Sequence, residues 1–295
     1  MAAPSETFTS LRCLREASAS TPHPLTELLP AHVAKQLRDC VGSHKHPGLD
    51  QIRRHPLAAH VPLWSAHVLR LVHATAELEQ LFPDEWGATD SRAGPRWTVD
   101  AVLTSAAVDE LWTALQQIKG TPVVALRASL RIARDGTSRA VIAPLAPPSA
   151  QLLAVRLDTH ATRLDTPLVR LKIDKRGVYD AARAHVNATL GLASEQTAPA
   201  PCFDAVLWRE ECERACVTES SIANVIVERH DGGAIQLETP PFHGLLPGLL
   251  VQELVRQGIV RQGIVTVEDL VQRKGIVRVY LCNAVRGMFE VSIAA

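Results

Sequence analysis

A change of period between residues 105 and 132 limits the possible folds of this chain more than any other feature. From Ser105, the residues Val108, Leu111, Trp112, Leu115 and Ile118 recur at helical spacing, with Gly120 as the expected C-terminal stop. Four residues later the period falls to two. Val124, Leu126, Ala128, Leu130 and Ile132 alternate with Ala125, Arg127, Ser129 and Arg131. A helix running into a half-buried strand excludes an all-α or all-β chain and predicts mixed α/β architecture. The second face of that strand carries two arginines, and the pattern fits a solvated face and a substrate-facing one equally well.

The remaining chain alternates in the same way. Val68, Leu71, Val72 and Leu78 predict a helix from Trp64 to Phe82-Pro83. Val178 to Val186 and Leu249 to Gln257 also read as helices. Ser221 to Arg229 and Ala234 to Thr239 read as strands joined at His230-Asp231-Gly232-Gly233, a hairpin signal. Residues 13–62 are poorly periodic and rich in Pro, His and Ser, which predicts an insertion with one helix, Leu28 to Leu37. Pro144, Pro147 and Pro148 mark a linker, so the expected domains are 1–143 and 144–295. The tandem repeat Arg256 to Val260 and Arg261 to Val265 is too short for a solenoid and reads as a local feature of a helix-to-loop junction.

Composition narrows function by exclusion. Lys+Arg and Asp+Glu both number 31, so no global field attracts nucleic acid or an anionic membrane. No stretch reaches the roughly 18 to 20 apolar residues of a membrane span. The first residues lack the basic and apolar regions of a secretory signal, and the expected compartment is the cytoplasm. The six cysteines lack a C-x-x-C, and His44-Lys45-His46 reads as polar surface, so no metal site is expected.

Three separated segments carry a more specific signal. The first is Thr218-Glu219-Ser220-Ser221-Ile222-Ala223-Asn224, followed by Thr239-Pro240-Pro241 and Leu246-Pro247-Gly248. The second is Lys172-Ile173-Asp174-Lys175-Arg176-Gly177-Val178-Tyr179-Asp180, and the third is Cys282-Asn283-Ala284 with Val291. Together they resemble the class IV pyridoxal-phosphate (PLP) enzymes, which comprise aminotransferases and 4-amino-4-deoxychorismate lyases. Their order agrees too, with about 45 residues from the lysine to the glutamate and about 65 more to the asparagine. Phe8-Thr9-Ser10-Leu11-Arg12 and His67-Val68-Leu69-Arg70-Leu71 resemble N-terminal segments of the same family, separated here by about 30 additional residues.

The resemblance implies a small N-terminal α/β domain, a larger C-terminal pseudo-barrel domain of the D-amino-acid-aminotransferase type, and a homodimer. It also implies PLP held between the domains. Lys172 would be the Schiff-base lysine, a role that needs an amine able to lose its proton near neutral pH. It follows Leu168-Val169-Arg170-Leu171, read as a strand end, and Lys175 is the competing candidate. Glu219, read as opening a strand, would hold the ring nitrogen protonated. The phosphate would meet Arg70 and the amides of Leu249 and Leu250 at a helix start, with Asn224 and Asn283 as further cofactor residues. Val251 stands where the family usually has arginine. Ser10 replaces a threonine that would assist proton transfer, and Arg127 or Arg131 would meet a substrate carboxylate.

The site does not settle the reaction. The absence of an asparagine-tyrosine pair beside Lys172, the Cys282-Asn283-Ala284 segment and the nearby chain end all point to the lyase branch. The expected reaction converts 4-amino-4-deoxychorismate to 4-aminobenzoate and pyruvate, a route to folate precursors. A transaminase of D-amino, branched-chain or amine donors is the alternative, and a non-catalytic relative is the second.

Overall fold

The computed structural model describes residues 3–15, 25, 28–36, 48–87, 96–146, 152–163, 166–190, 202–231 and 234–294. Cys40, His44, Lys45 and His46 lie outside them, as do Pro147, Pro148, Gly232 and Gly233 of the expected linker and hairpin turn. The chain divides into two compact units. One comprises Met1–Thr26, Asp39–Pro147 and Leu171–Lys175, and the other Glu27–Arg38, Pro148–Arg170 and Arg176–Ala295.

The first unit is built on a three-stranded antiparallel sheet in the order β1 (Glu6–Leu14), β2 (Ala125–Ala133), β3 (Ser138–Pro144). Period two gives the sheet its apolar face: Thr7, Thr9, Leu11 and Cys13 lie with Leu126, Ala128, Leu130 and Ile132, all buried. Pro144 closes β3, an edge strand, where its missing N–H costs no ladder bond. Five helices belong to this unit among the described residues: α2 (Leu49–Arg54), α3 (Trp64–Leu81), α4 (Pro83–Trp86), α5 (Val99–Leu103) and α6 (Ala106–Gln117). Helix α3 packs on β1, and α6 packs on β2 and β3. The insertion differs from its expected form. Helix α1 spans only Ala31–Ala34 after Pro30, whereas α2 and a 3-10 turn at Pro56–Ala59 were not anticipated. Ile52 and Leu57 are fully buried there, but single apolar residues among His and Pro leave no readable period.

The second unit contains a sheet that closes on itself. β4 (Leu153–Leu157), β5 (Asp204–Glu211), β6 (Arg214–Ser220), β7 (Asn224–Asp231), β10 (Ile276–Asn283) and β11 (Gly287–Ile293) form a closed six-stranded ring, because β7 also pairs with β10. β8 (Ala234–Thr239) and β9 (Val260–Gln262) extend it from β7. Val155, Val206, Val217, Val225, Val279 and Val291, one from each strand of the ring, join one buried cluster. α7 (Gly177–His185), α8 (Leu249–Arg256) and α9 (Val267–Gln272) complete the unit together with α1. The ring matches the expected pseudo-barrel.

Two local readings are corrected. Glu219 does not open a strand. It is the penultimate residue of β6, and the strand expected from Ser221 begins at Asn224. Ser220 turns the chain between them: its N–H donates to the Ala223 carbonyl at 2.7 Å, and its Oγ accepts from the Ala223 N–H at 3.0 Å. Nor does a strand end precede Lys172. Pro167–Arg170 form a 3-10 turn, and the following residues run extended beside β1.

Candidate active site

Lys172 is fixed by its backbone. Its carbonyl accepts from the Phe8 N–H at 2.8 Å and the Thr7 hydroxyl at 3.1 Å, and Ile173 bridges to Thr7. Residues 171–175 thus dock on the edge of β1 that β2 leaves open. The half-buried lysine extends over the sheet's polar face, with Nζ 5.3 Å from the centre of the Phe8 ring. Register puts Phe8, Ser10 and Arg12 on that face opposite Arg131, Ser129 and Arg127. Ser10 therefore shares a face with the Lys172 amine.

The arginines on this face differ in environment. Arg131 is paired with Glu6 at 2.7 Å, a carboxylate it shares with Arg139, while Arg127 is exposed. The Arg12 Nε and the Ser129 Oγ are buried with no hydrogen-bond partner among the described residues. Buried donors of this kind carry a desolvation cost that an anionic or polar ligand would relieve.

Behind the sheet lies a histidine that the sequence reading did not single out. His67 is fully buried, its Nδ1 is 2.7 Å from the Thr9 Oγ1, and its Nε2 has no partner among the described residues. Burial, then the charges of Arg70 and Lys172, push its pKa down to about 3. Arg70, one turn along α3, is pushed down to about 10 by burial and remains cationic at neutral pH. Because the unfolded imidazole titrates near 6.5, both states are neutral above that pH. Between 6.5 and about 3 the unfolded chain binds a proton that the native one refuses, so stability falls as pH falls. The slope from this one group is about 1.4 kcal/mol per pH unit. Urea unfolding of His67→Gln at pH 4, 5 and 6 is expected to lack that component, and a slope identical to the parent's would show His67 protonated in the fold.

In the second unit, Glu219 is 4% exposed and its Oε1 accepts from the Tyr179 hydroxyl at 2.9 Å and the Leu246 N–H at 3.2 Å. Burial and then the Glu219 charge push the Tyr179 pKa up, so the phenol stays protonated and donates. Tyr179 is held on α7, where the Arg176 guanidinium stacks 4.4 Å from its ring and donates to the Ser221 carbonyl. Asn224, across the hairpin from Glu219, is also engaged: its Nδ2 donates to the Leu246 carbonyl at 3.1 Å and its Oδ1 accepts from the Gly248 N–H at 2.8 Å. One buried turn therefore holds both the carboxylate and the loop leading into α8.

Helix α8 starts after Gly248 with no side-chain cap bond among the described residues, and its first amides are those of Leu249 and Leu250. A Cβ at Gly248 would stand 2.3 Å from the Asn224 Oδ1, so glycine is required for this approach. Leu250 and Val251 are fully buried, which makes position 251 part of the core here. Asn283 closes the β10–β11 turn by accepting from the Val285 and Arg286 N–H groups, and its Nδ2 reaches the Ile222 carbonyl at 3.4 Å.

No protein-family model matches the chain, and no curated protein matches it in sequence. Solved structures do match. A protein of Mesorhizobium loti provisionally described as an amino-acid aminotransferase aligns over 98% of this chain and 99% of its own, at 21% identity and TM-score 0.61. A Legionella pneumophila protein provisionally described as a 4-amino-4-deoxychorismate lyase aligns over 98% and 82%, at 14% identity and TM-score 0.54. A hypothetical aminotransferase of Mycobacterium tuberculosis, in PLP-bound form, aligns over 98% and 81%, at 14% identity and TM-score 0.56.

The chain has the class IV aminotransferase fold.

Within this fold the expected residues fall into two sets. Lys172, Ser10, Arg70, Arg127 and Arg131 belong to the first unit; Glu219, Asn224, Leu249, Leu250 and Asn283 belong to the second. The structure gathers Lys172, Ser10 and both strand arginines on one sheet face, and Glu219 and Asn224 at one hairpin. Tyr179, Arg12 and His67 were overlooked as site residues although each lies inside a quoted motif. The available signal was their place in those motifs, since neither Tyr179 nor His67 disturbs the helical period around it.

Each unit by itself carries groups of the kinds a phosphorylated pyridine aldehyde needs: the first a primary amine beside a polar sheet face and a buried cationic guanidinium, the second a buried carboxylate held by two donors and a helix start suited to a phosphate.

Proposed function

We propose that the protein is a PLP-dependent enzyme that acts on a carboxylate-bearing amino compound, and that its reaction is the lyase step yielding 4-aminobenzoate and pyruvate from 4-amino-4-deoxychorismate. The observation that carries this reading is Glu219: a nearly fully buried carboxylate held by Tyr179 and Leu246, in the hairpin whose Asn224 also fixes the uncapped start of α8. When bound, PLP supplies an electron sink for the pair left at carbon after proton removal. Lys172 would hold the cofactor covalently and then serve as base, taking the proton from the ring carbon that bears the amino group. Loss of pyruvate from the neighbouring carbon completes the aromatic ring, and the proton is returned to the departing enolpyruvate. Glu219 would keep a proton on the pyridine nitrogen, and Arg70 of the first unit and the Leu249 and Leu250 amides of the second are the groups that would be offered to the phosphate. Ser10 stands on the same face as the amine for proton transfer, and Arg127 and Arg131, together with Arg12, present cations to substrate carboxylates.

A transaminase reading draws on the M. loti and M. tuberculosis structures, both described as aminotransferases. One experiment separates the two. Purified protein with PLP is given 4-amino-4-deoxychorismate, and 4-aminobenzoate and pyruvate are measured; parallel reactions pair D-alanine, a branched-chain amino acid or an amine with 2-oxoglutarate. Equimolar 4-aminobenzoate and pyruvate are expected. Faster formation of a keto acid from an amino donor would replace the lyase by the transaminase, and turnover of neither would leave a non-catalytic relative.

A further inference from the structure

A second cluster of chemically competent side chains lies in the barrel unit, and none of them belongs to the proposed cofactor residues. Asp158, His160 and His185 each offer a ligand atom, and these atoms all lie within 4.8 Å of one another. We propose that they form a binding site for a divalent transition metal of the zinc type.

The cluster is pinned from both sides. Asp158 follows β4 directly; its N–H donates to the Val206 carbonyl at 2.8 Å and its carbonyl accepts from the Trp208 indole at 2.7 Å. Thr162 donates its N–H to the Trp208 carbonyl at 2.7 Å, so residues 158–162 are tied along β5 at both ends. His185 ends α7, and that helix is seated by Ala182 and Val186 packing on Ala205 and Leu207 of β5. Donors from two elements thus converge on scaffolds that hold their own positions, which is what a metal site requires of its supporting structure.

The side chains are arranged as ligands are. The Asp158 carboxylate is buried, with its Oδ1 2.7 Å from the His185 Nδ1 and 3.1 Å from the His160 N–H. The two imidazoles stand 4.3 Å apart between ring centres. The Thr159 hydroxyl contacts the His160 Nδ1 at 2.9 Å, which leaves Nε2 as the ligand atom and orients the ring. Donors around tetrahedral zinc are separated by about 3.3 Å, given bonds of about 2.0 to 2.1 Å. Reaching that spacing from at most 4.8 Å needs shifts of up to about 1.5 Å, and both histidines are exposed enough to make them. Two imidazoles and one carboxylate form a borderline-soft set that favours zinc, copper, nickel or cobalt over magnesium or calcium. Solvent has access to the histidine side, so a fourth position is left for water. Because α7 also carries Tyr179, a bound ion would fix the helix that orients Glu219.

The test uses untagged full-length protein without added cofactor, titrated calorimetrically with Zn2+ and spectroscopically with Co2+. One equivalent of Zn2+ is expected, with visible Co2+ bands of a four- or five-coordinate site and a Tm raised by about 5 °C in excess metal. His160→Ala and His185→Ala are each expected to weaken binding about 100-fold, and circular dichroism checks that both remain folded. His160→Gln serves as a milder variant if either does not. Cys212→Ser, at an exposed free thiol, is expected to bind as the parent does. Less than one equivalent in the parent, unchanged binding in the histidine variants, or loss of binding in Cys212→Ser would each overturn the assignment.

Discussion

Lys172→Ala is expected to lower turnover by roughly 10³- to 10⁴-fold while leaving the fold in place, because the variant removes the amine assigned as the base. The residue is held by its carbonyl, which accepts from Phe8 and Thr7, and by the Ile173 bridge, and alanine keeps all of these. Circular dichroism and cooperative unfolding of the variant should therefore resemble the parent's. Borohydride reduction in the presence of PLP should fix the cofactor to the Lys172 peptide in the parent and to none in the variant, read by mass spectrometry. Lys175→Ala supplies the comparison. Lys175 is exposed three residues away, and its variant should retain both labelling and turnover. Labelling that survives in Lys172→Ala and vanishes in Lys175→Ala would transfer the role to Lys175.

Glu219→Gln is expected to cost about 10²- to 10³-fold in kcat with cofactor still bound. The amide is nearly the shape of the carboxylate, and its oxygen still accepts from the Tyr179 hydroxyl and the Leu246 N–H. What it loses is the negative charge needed to keep a pyridine nitrogen protonated. Packing and Tm should move little, which separates an electronic role from a structural one. Tyr179→Phe removes one donor to the carboxylate and should cost about tenfold, consistent with the loss of a single hydrogen bond to a charged group. A kcat in Glu219→Gln equal to the parent's, with PLP bound, would make Glu219 a buried structural acid.

The elements that follow from local pattern were legible. Helices α3, α6, α7 and α8 and strands β2 and β8 lie within a few residues of where spacing puts them, because the apolar period records which face each element must bury. The motif segments gave the fold through resemblance, and the structural relatives share it. Local pattern failed where hydrogen bonds to a turn or to a distant strand set the conformation. Ser220 closes the hairpin through its hydroxyl, so a motif that reads as one strand is split between β6 and β7. The insertion hid α2 because Leu49 and Ile52 alone do not establish a period.

The sequence by itself determined the alternation of helices and strands and the polar and apolar faces of the first sheet, and it supplied the residues proposed for cofactor chemistry. Only the tertiary structure decided which of those residues meet. Lys172 docks on β1 through partners about 165 residues away, Tyr179 reaches Glu219 across 40, and Asp158 meets His185 across 27. Hydrophobic period is set by neighbours along the chain, whereas these contacts gain their free energy only when a sheet edge is filled or a ring of strands closes.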